Sequence, residues 1–304
     1  MTRTTCRLIS IAALIAALLV AAGPAVADDA GSLFKEGMAL KERGKVDEAI
    51  AKFEQVVALN SEHGLAWASL GHLYKKKMDY PKAVNAYEQA TRIRPNDAVL
   101  WSNLGMAYYR GGRADDAITA LERACKLNPR DAGTQANLGT VKRQKGDIKG
   151  AIQHLCHAYR LTPADDTVAN NLGLAFRSDK QNKKAEMLFK KAIELKDAVA
   201  QYHFNLAVVY RSQEKYDDAI PAYQRAVELD PKMVEAWWDL GVSYRNNHDN
   251  PKAIAAFQSY LRLVKGKDAA AESAAQGALD ALGGKKPGKD GGKKAPKPAP
   301  KKPK

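Results

Sequence analysis

Four asparagines, Asn103, Asn137, Asn171 and Asn205, stand 34 residues apart in this 304-residue chain. A side-chain amide offers both a donor and an acceptor, as a peptide backbone does, so a ladder of amides could hold an extended peptide without reading its sequence. Arg143, Arg177, Arg211 and Arg245 follow the same step, and Lys41 and Lys75 extend that column, which only Tyr109 interrupts. Guanidinium forks suit carboxylates and phosphates, so the column points to an acidic segment or a terminal carboxylate. The other reading is a solvated helix face, or one paired with nearby acids. Phe204 and Trp238 share a third column. An exposed ring there would anchor an apolar side chain; a covered one would pack between adjacent A helices.

The other reactive residues supply little chemistry. Cys125 and Cys156 could pair as a disulfide in an oxidising compartment, or be a buried small residue and an exposed thiol. His154, Cys156 and His157 cluster, but a tight metal site needs more ligands and a second shell. No C-x-x-C-H, Gly-rich phosphate loop, H-E-x-x-H or G-x-S-x-G string occurs. The expectation is therefore a chain with no catalytic residue, no metal and no cofactor.

The elements that would position these columns follow from the 34-residue step itself. Leu70-Gly71, Leu104-Gly105, Leu138-Gly139, Leu172-Gly173 and Leu240-Gly241 mark it, with Leu206-Ala207 in the gap. Seven frames without insertion result: 30–63, 64–97, 98–131, 132–165, 166–199, 200–233 and 234–267. Position 20 is alanine in every frame, from Ala49 to Ala253, and position 30 is always aliphatic. Positions 4, 7, 8 and 11 share one helical face and positions 17, 20, 24 and 27 another, so each frame reads as two amphipathic helices, A and B, joined by a turn. Small residues at positions 8 and 20 allow the two to approach closely. Pro81 and Pro251 fall near the start of helix B, where a missing N–H costs little, whereas Pro221 lies deeper and is expected to bend its helix slightly.

The string Trp67-x-x-Leu70-Gly71-x-x-Tyr74, then Ala83-x-x-x-Tyr87 and Pro95, repeated at Trp101, Leu104, Gly105, Tyr108, Ala117, Leu121 and Pro129, resembles the tetratricopeptide-repeat family over residues 30–267. The resemblance implies an all-α, right-handed superhelical solenoid of antiparallel helix pairs. Its A helices would line a concave groove into which positions 2, 5, 6, 9, 12 and 13 point. Asn103, Asn137, Asn171, Asn205, Arg143, Arg177, Arg211, Arg245, Phe204 and Trp238 would then be groove residues for a protein or peptide ligand. Asn is also a frequent residue at position 6 in the family. The family's clamp for chaperone C-termini is missing: positions 5 and 9 read Phe34 and Met38, Ala68 and His72, Ser102 and Met106, Ala136 and Thr140. Residues 268–282, rich in alanine, are expected to cap the last repeat as a solvent-facing helix.

Charge and the two ends complete the reading. Arg3 and Arg7, an apolar run over residues 8–20 and Ala25-Val26-Ala27 form a secretory signal, so residues 1–27 are expected to be removed, with export to the periplasm or cell envelope and no transmembrane segment afterwards. Much of the formal charge of +14 sits at the other end, where residues 283–304 hold nine lysines against Asp290 and no large apolar residue. Such a segment reads as a disordered tail that attracts an anionic polymer, lipid surface or DNA without sequence specificity. Basicity concentrated there does not imply a folded nucleic-acid-reading surface. The leading expectation is a binding scaffold; the alternative is an envelope tether attached through this tail.

Overall fold

The computed structural model describes the backbone of residues 23–283 and the side chains of residues 29–283. Residues 1–22 of the expected signal and residues 284–304 of the lysine tail lie outside the described residues.

Among the described residues there are fifteen helices. They are α1 (Gly23–Glu42), α2 (Val46–Leu59), α3 (Gly64–Lys76), α4 (Tyr80–Ile93), α5 (Ala98–Arg110), α6 (Ala114–Leu127), α7 (Ala132–Gln144) and α8 (Ile148–Leu161), then α9 (Asp166–Ser178), α10 (Asn182–Leu195), α11 (Ala200–Ser212), α12 (Tyr216–Leu229), α13 (Val234–Asn246), α14 (Asn250–Val264) and α15 (Ala269–Ala281). The chain forms two compact units, Met1–Pro163 with α1 to α8 and Ala164–Lys304 with α9 to α15. Within each unit an odd-numbered A helix packs against the B helix that follows it, and that B helix packs against the next A helix. Helix α15 packs on α14.

Aspartates open many of these helices. The carboxylates of Asp79, Asp97, Asp131, Asp147, Asp165, Asp249 and Asp268 each accept a backbone N–H from the first turn of the helix they precede. The turn from A to B is equally regular. Position 15 of all seven frames, Gly44, Met78, Gly112, Gly146, Lys180, Glu214 and His248, has φ between 58° and 87°. That left-handed conformation reverses the chain in one residue, and only glycine adopts it without a steric cost. Helix α12 continues through Pro221 from Tyr216 to Leu229.

Close approach of A to B needs the glycines at position 8. A methyl group built on Gly71, Gly105, Gly139, Gly173 or Gly241 would lie 2.6 to 2.8 Å from the side chain of Tyr87, Leu121, Leu155, Phe189 or Phe257, respectively. Those position-24 side chains are fully buried or nearly so. Within each unit, polar columns tie neighbouring repeats together. The side-chain N–H of Trp67, Trp101, Gln135 and Trp237 donates to the carbonyl six residues earlier, at Ser61, Pro95, Pro129 and Pro231, and a ring nitrogen of His203 meets the Asp197 carbonyl in the same way. The Tyr74 hydroxyl donates to Glu54, and Tyr108 to Glu88 at 2.5 Å. Lys142 takes the corresponding place with Glu122 at 2.9 Å. In α15 only Ala275 and Leu279 are buried, and Ala274 is exposed.

Candidate functional site

The A-helix positions that the family resemblance assigns to a groove, 2, 5, 6, 9, 12 and 13, are here termed the A face of each unit. In the N-terminal unit its charge is one-sided. Lys41 on α1, Lys75 and Lys76 at the end of α3, Arg110 on α5 and Arg143 on α7 stand with Glu42 as the acid of those columns. Lys75 is half-buried, and its Nζ donates to Asn103 Oδ1 at 3.0 Å. Burial holds the Lys75 ammonium below its usual pKa. The imidazole of His72 is likewise depressed, first by burial and then by Lys41, Lys75 and Lys76. Asn137 and Arg143 are half-buried, and among the described residues their side chains have no hydrogen-bond or ion-pair partner. The Tyr109 hydroxyl, which interrupts the cationic column, donates to Gln144. Leu65 and Val99, at position 2 of consecutive A helices, are 50% and 67% exposed.

The C-terminal unit uses the same columns differently. Asn205 is only 2% exposed; its Nδ2 donates to Asn170 Oδ1 at 2.8 Å, and its Oδ1 accepts from Gln201 at 3.1 Å. It is therefore a structural amide and not the groove residue the ladder implied, because its donor and acceptor are both used inside the unit. Asn171 stays half-buried with no such partner among the described residues. Arg211 is also committed: its Nε donates to the Tyr223 hydroxyl at 3.1 Å, and its guanidinium lies 3.3 Å from Asp239. Arg177 is half-buried and interacts within the protein, and Arg245 is exposed. Phe204 and Trp238 are covered on one side, which corrects their reading as free anchors. Phe204 meets the Tyr223 ring edge-on at 5.8 Å, and Trp238 meets Phe257 at 5.2 Å and Tyr260 at 5.0 Å. These are contacts across a helix pair, not between successive A helices.

The two cysteines do not form the disulfide considered from sequence. Cys125 is buried among Ala117, Leu121, Leu138 and Val141, so its sulfur faces the next A helix, α7, instead of Cys156 on α8. Burial pushes the Cys125 thiol up to about 11. Nδ1 of His154 lies 2.8 Å from Gln135 Oε1, a contact between α7 and α8 of one repeat. Among the described residues no group of three His, Cys, Asp or Glu side chains is placed to hold a metal ion. None of the described helices is long and apolar enough to cross a membrane.

Two family models match this chain. One, described as the Cilia and flagella-associated protein 70 C-terminal domain, matches residues 12–232, more than half of the sequence, and one described as Tetratricopeptide repeat matches residues 204–268. The chain belongs to the tetratricopeptide-repeat family. Solved structures of tetratricopeptide-repeat proteins share its fold. The chain is similar to one in the APC/C hetero-tetramer Cut9-Hcn1, with TM-score 0.64 and 21% identity over 80% of this chain and 48% of that one, so it spans about half of that relative. It is similar to the C-terminal part of a repeat-containing protein from Cytophaga hutchinsonii, with TM-score 0.62 and 22% identity over 79% and 98% of the two chains. A third similar structure, YrrB, described as a TPR protein with an unusual peptide-binding site, gives TM-score 0.52 and 20% identity over 64% and 100%. No curated protein sequence matches the chain.

Lys75 belongs to the cationic column read from the sequence, and His72 enters there only in the comparison with the chaperone clamp, whereas Asp239, Asn170 and Gln201 carry no signal in a single column. The signal that finds Asp239 is a comparison of position 12 with position 6 of the following repeat, 28 residues on.

Proposed function

We propose that this tetratricopeptide-repeat chain is a non-catalytic interaction scaffold of the periplasm or cell envelope, whose N-terminal unit holds an extended, acidic peptide segment on its A face. One observation carries the reading: Lys75, Asn137 and Arg143 are half-buried there and meet no carboxylate among the described residues. Polar groups that have lost water without gaining a strong partner are the ones a ligand can satisfy. Amides supply pairing for a peptide backbone, and cations supply attraction for acidic side chains. The similarity to YrrB, described as having a peptide-binding site, supports the reading at the level of the fold. Binding to an array of acidic and neutral peptides tests it. Acidic peptides should be retained by the wild-type chain and lost after Asn137→Ala combined with Arg143→Gln; retention by that variant would overturn the assignment.

We infer a second role for the lysine-rich tail, on its sequence alone: nine lysines in residues 283–304 suit attachment to an anionic polymer or membrane surface. Removing residues 284–304 should release the protein from anionic vesicles at low salt, and full retention would reject the tether.

A further inference from the structure

Resting on the peptide reading above, we propose that Lys75 and Asn103, with Lys41, His72 and Lys76 around them, form a subsite that receives a carboxylate of the bound peptide. An internal comparison carries the inference. In each unit a cation at position 12 reaches the position-6 side chain of the following repeat. In the C-terminal unit that slot is filled by a carboxylate: Arg211 lies 3.3 Å from Asp239, which also accepts from the Tyr223 hydroxyl at 3.1 Å. In the N-terminal unit Lys75 Nζ meets Asn103 Oδ1 at 3.0 Å. An amide has nearly the shape of a carboxylate but none of its charge. The slot is thus filled in shape and left unneutralised.

The surroundings reinforce that imbalance. Burial is what depresses the Lys75 ammonium, and burial together with Lys41, Lys75 and Lys76 depresses the His72 imidazole. No carboxylate contributes to either environment. Lys41 and Lys75 lie in the last turns of α1 and α3, where the partial negative charge of a helix end tolerates cations, so the cluster can persist while no ligand is bound. An arriving carboxylate would displace Lys75 from the neutral amide into a charge-assisted hydrogen bond and leave the Asn103 amide N–H as a second donor.

A pH response follows. The groups acting on His72 are Lys41 from α1 and Lys75 and Lys76 from its own helix, all positive. In the free protein they favour the neutral ring. A bound carboxylate cancels part of their effect, raises the His72 pKa back toward the ordinary imidazole value and makes binding take up a proton from solvent, so binding tightens as pH falls below that ordinary value, about 6.5.

The test uses the full chain with an alternating Glu-Ala peptide capped at both ends, and a Gln-Ala peptide as its neutral counterpart. NMR should show the Asn103 side-chain amide and the His72 ring shifting with the first peptide and not the second. Lys75→Gln and Asn103→Asp should each weaken binding about tenfold, and His72→Gln should remove the gain on acidification. Asn103→Asp is the decisive variant because it places in the N-terminal unit the carboxylate that Asp239 supplies in the other; a thermal melt verifies that it stays folded. Undiminished binding by Asn103→Asp and Lys75→Gln, with binding still lost on substituting Asn137 and Arg143, would overturn the subsite and leave the scaffold reading intact. Failure of any acidic peptide to bind would overturn both.

Discussion

Asp239 shows why the filled slot is a positioning device more than a source of stability. Burial raises its carboxyl above the usual carboxylate range, although Arg211 and the Tyr223 hydroxyl pull the other way. A folded-state pKa above the unfolded one means that ionisation opposes folding; this group's contribution is full below its unfolded pKa and is lost as pH rises through the folded one. At neutral pH the charged pair therefore adds little net stability, yet removing one member strands the other in a half-buried place. Asp239→Ala should cost about 2–3 kcal/mol, while Arg211→Met with Asp239→Leu should fall within about 1 kcal/mol of wild type; urea unfolding of the three chains checks it. Cys125 gives a second prediction at this scale. With its thiol pKa near 11 and its sulfur in the core, roughly a thousandth of it is thiolate at pH 8, so the native Cys125 peptide should resist alkylation that it accepts readily in urea. Rapid native labelling, read by mass spectrometry, would contradict the packing.

At the scale of the helix pair, one residue in each of the seven repeats sets the turn, and what those residues share is a positive φ. Met78 is 74% exposed and held at φ 60°, so its side chain contributes little packing while its Cβ strains the backbone. Met78→Gly should raise stability by about 0.5–1 kcal/mol, and Gly146→Ala, starting at φ 87°, should lower it by about 1 kcal/mol. By contrast, Gly105→Ala acts through packing: its new methyl would sit 2.6 Å from Leu121 Cγ, and the overpacking should cost about 1–3 kcal/mol. Denaturant midpoints check all three: the midpoint should rise for Met78→Gly and fall for Gly146→Ala and Gly105→Ala. The packing columns were legible in the sequence because Gly71, Gly105, Gly139, Gly173 and Gly241 repeat one residue type, whereas the turn column was not, because Met78, Lys180, Glu214 and His248 share a conformation and no chemistry. The same distinction explains the site. Asn103, Asn137, Asn171 and Asn205 look alike in sequence, but their availability is set by residues about one repeat away: Lys75 beside Asn103, and Asn170 beside Asn205.

At the scale of the molecule, a solenoid has ends, and an end must be covered by something other than another repeat. The C-terminal unit meets this need with α15, which is short, alanine-rich and attached through only two buried residues, Ala275 and Leu279. Leu279 is fully buried, and it carries most of the apolar area that holds α15 on α14. Because each repeat touches only its neighbours, loss of that contact should not be shared evenly along the unit; it should loosen the terminal layer first. Leu279→Ala removes about 2–4 kcal/mol of burial from this one contact, more than a single terminal helix with so little core can lose. Hydrogen exchange should then show protection falling in α15 and along α14, where Leu261 and Val264 would meet water, while α9 to α12 keep theirs. Uniform loss of protection through α9 to α14 would instead mean that the unit unfolds as a single cooperative body and that α15 is a structural keystone, not a cover.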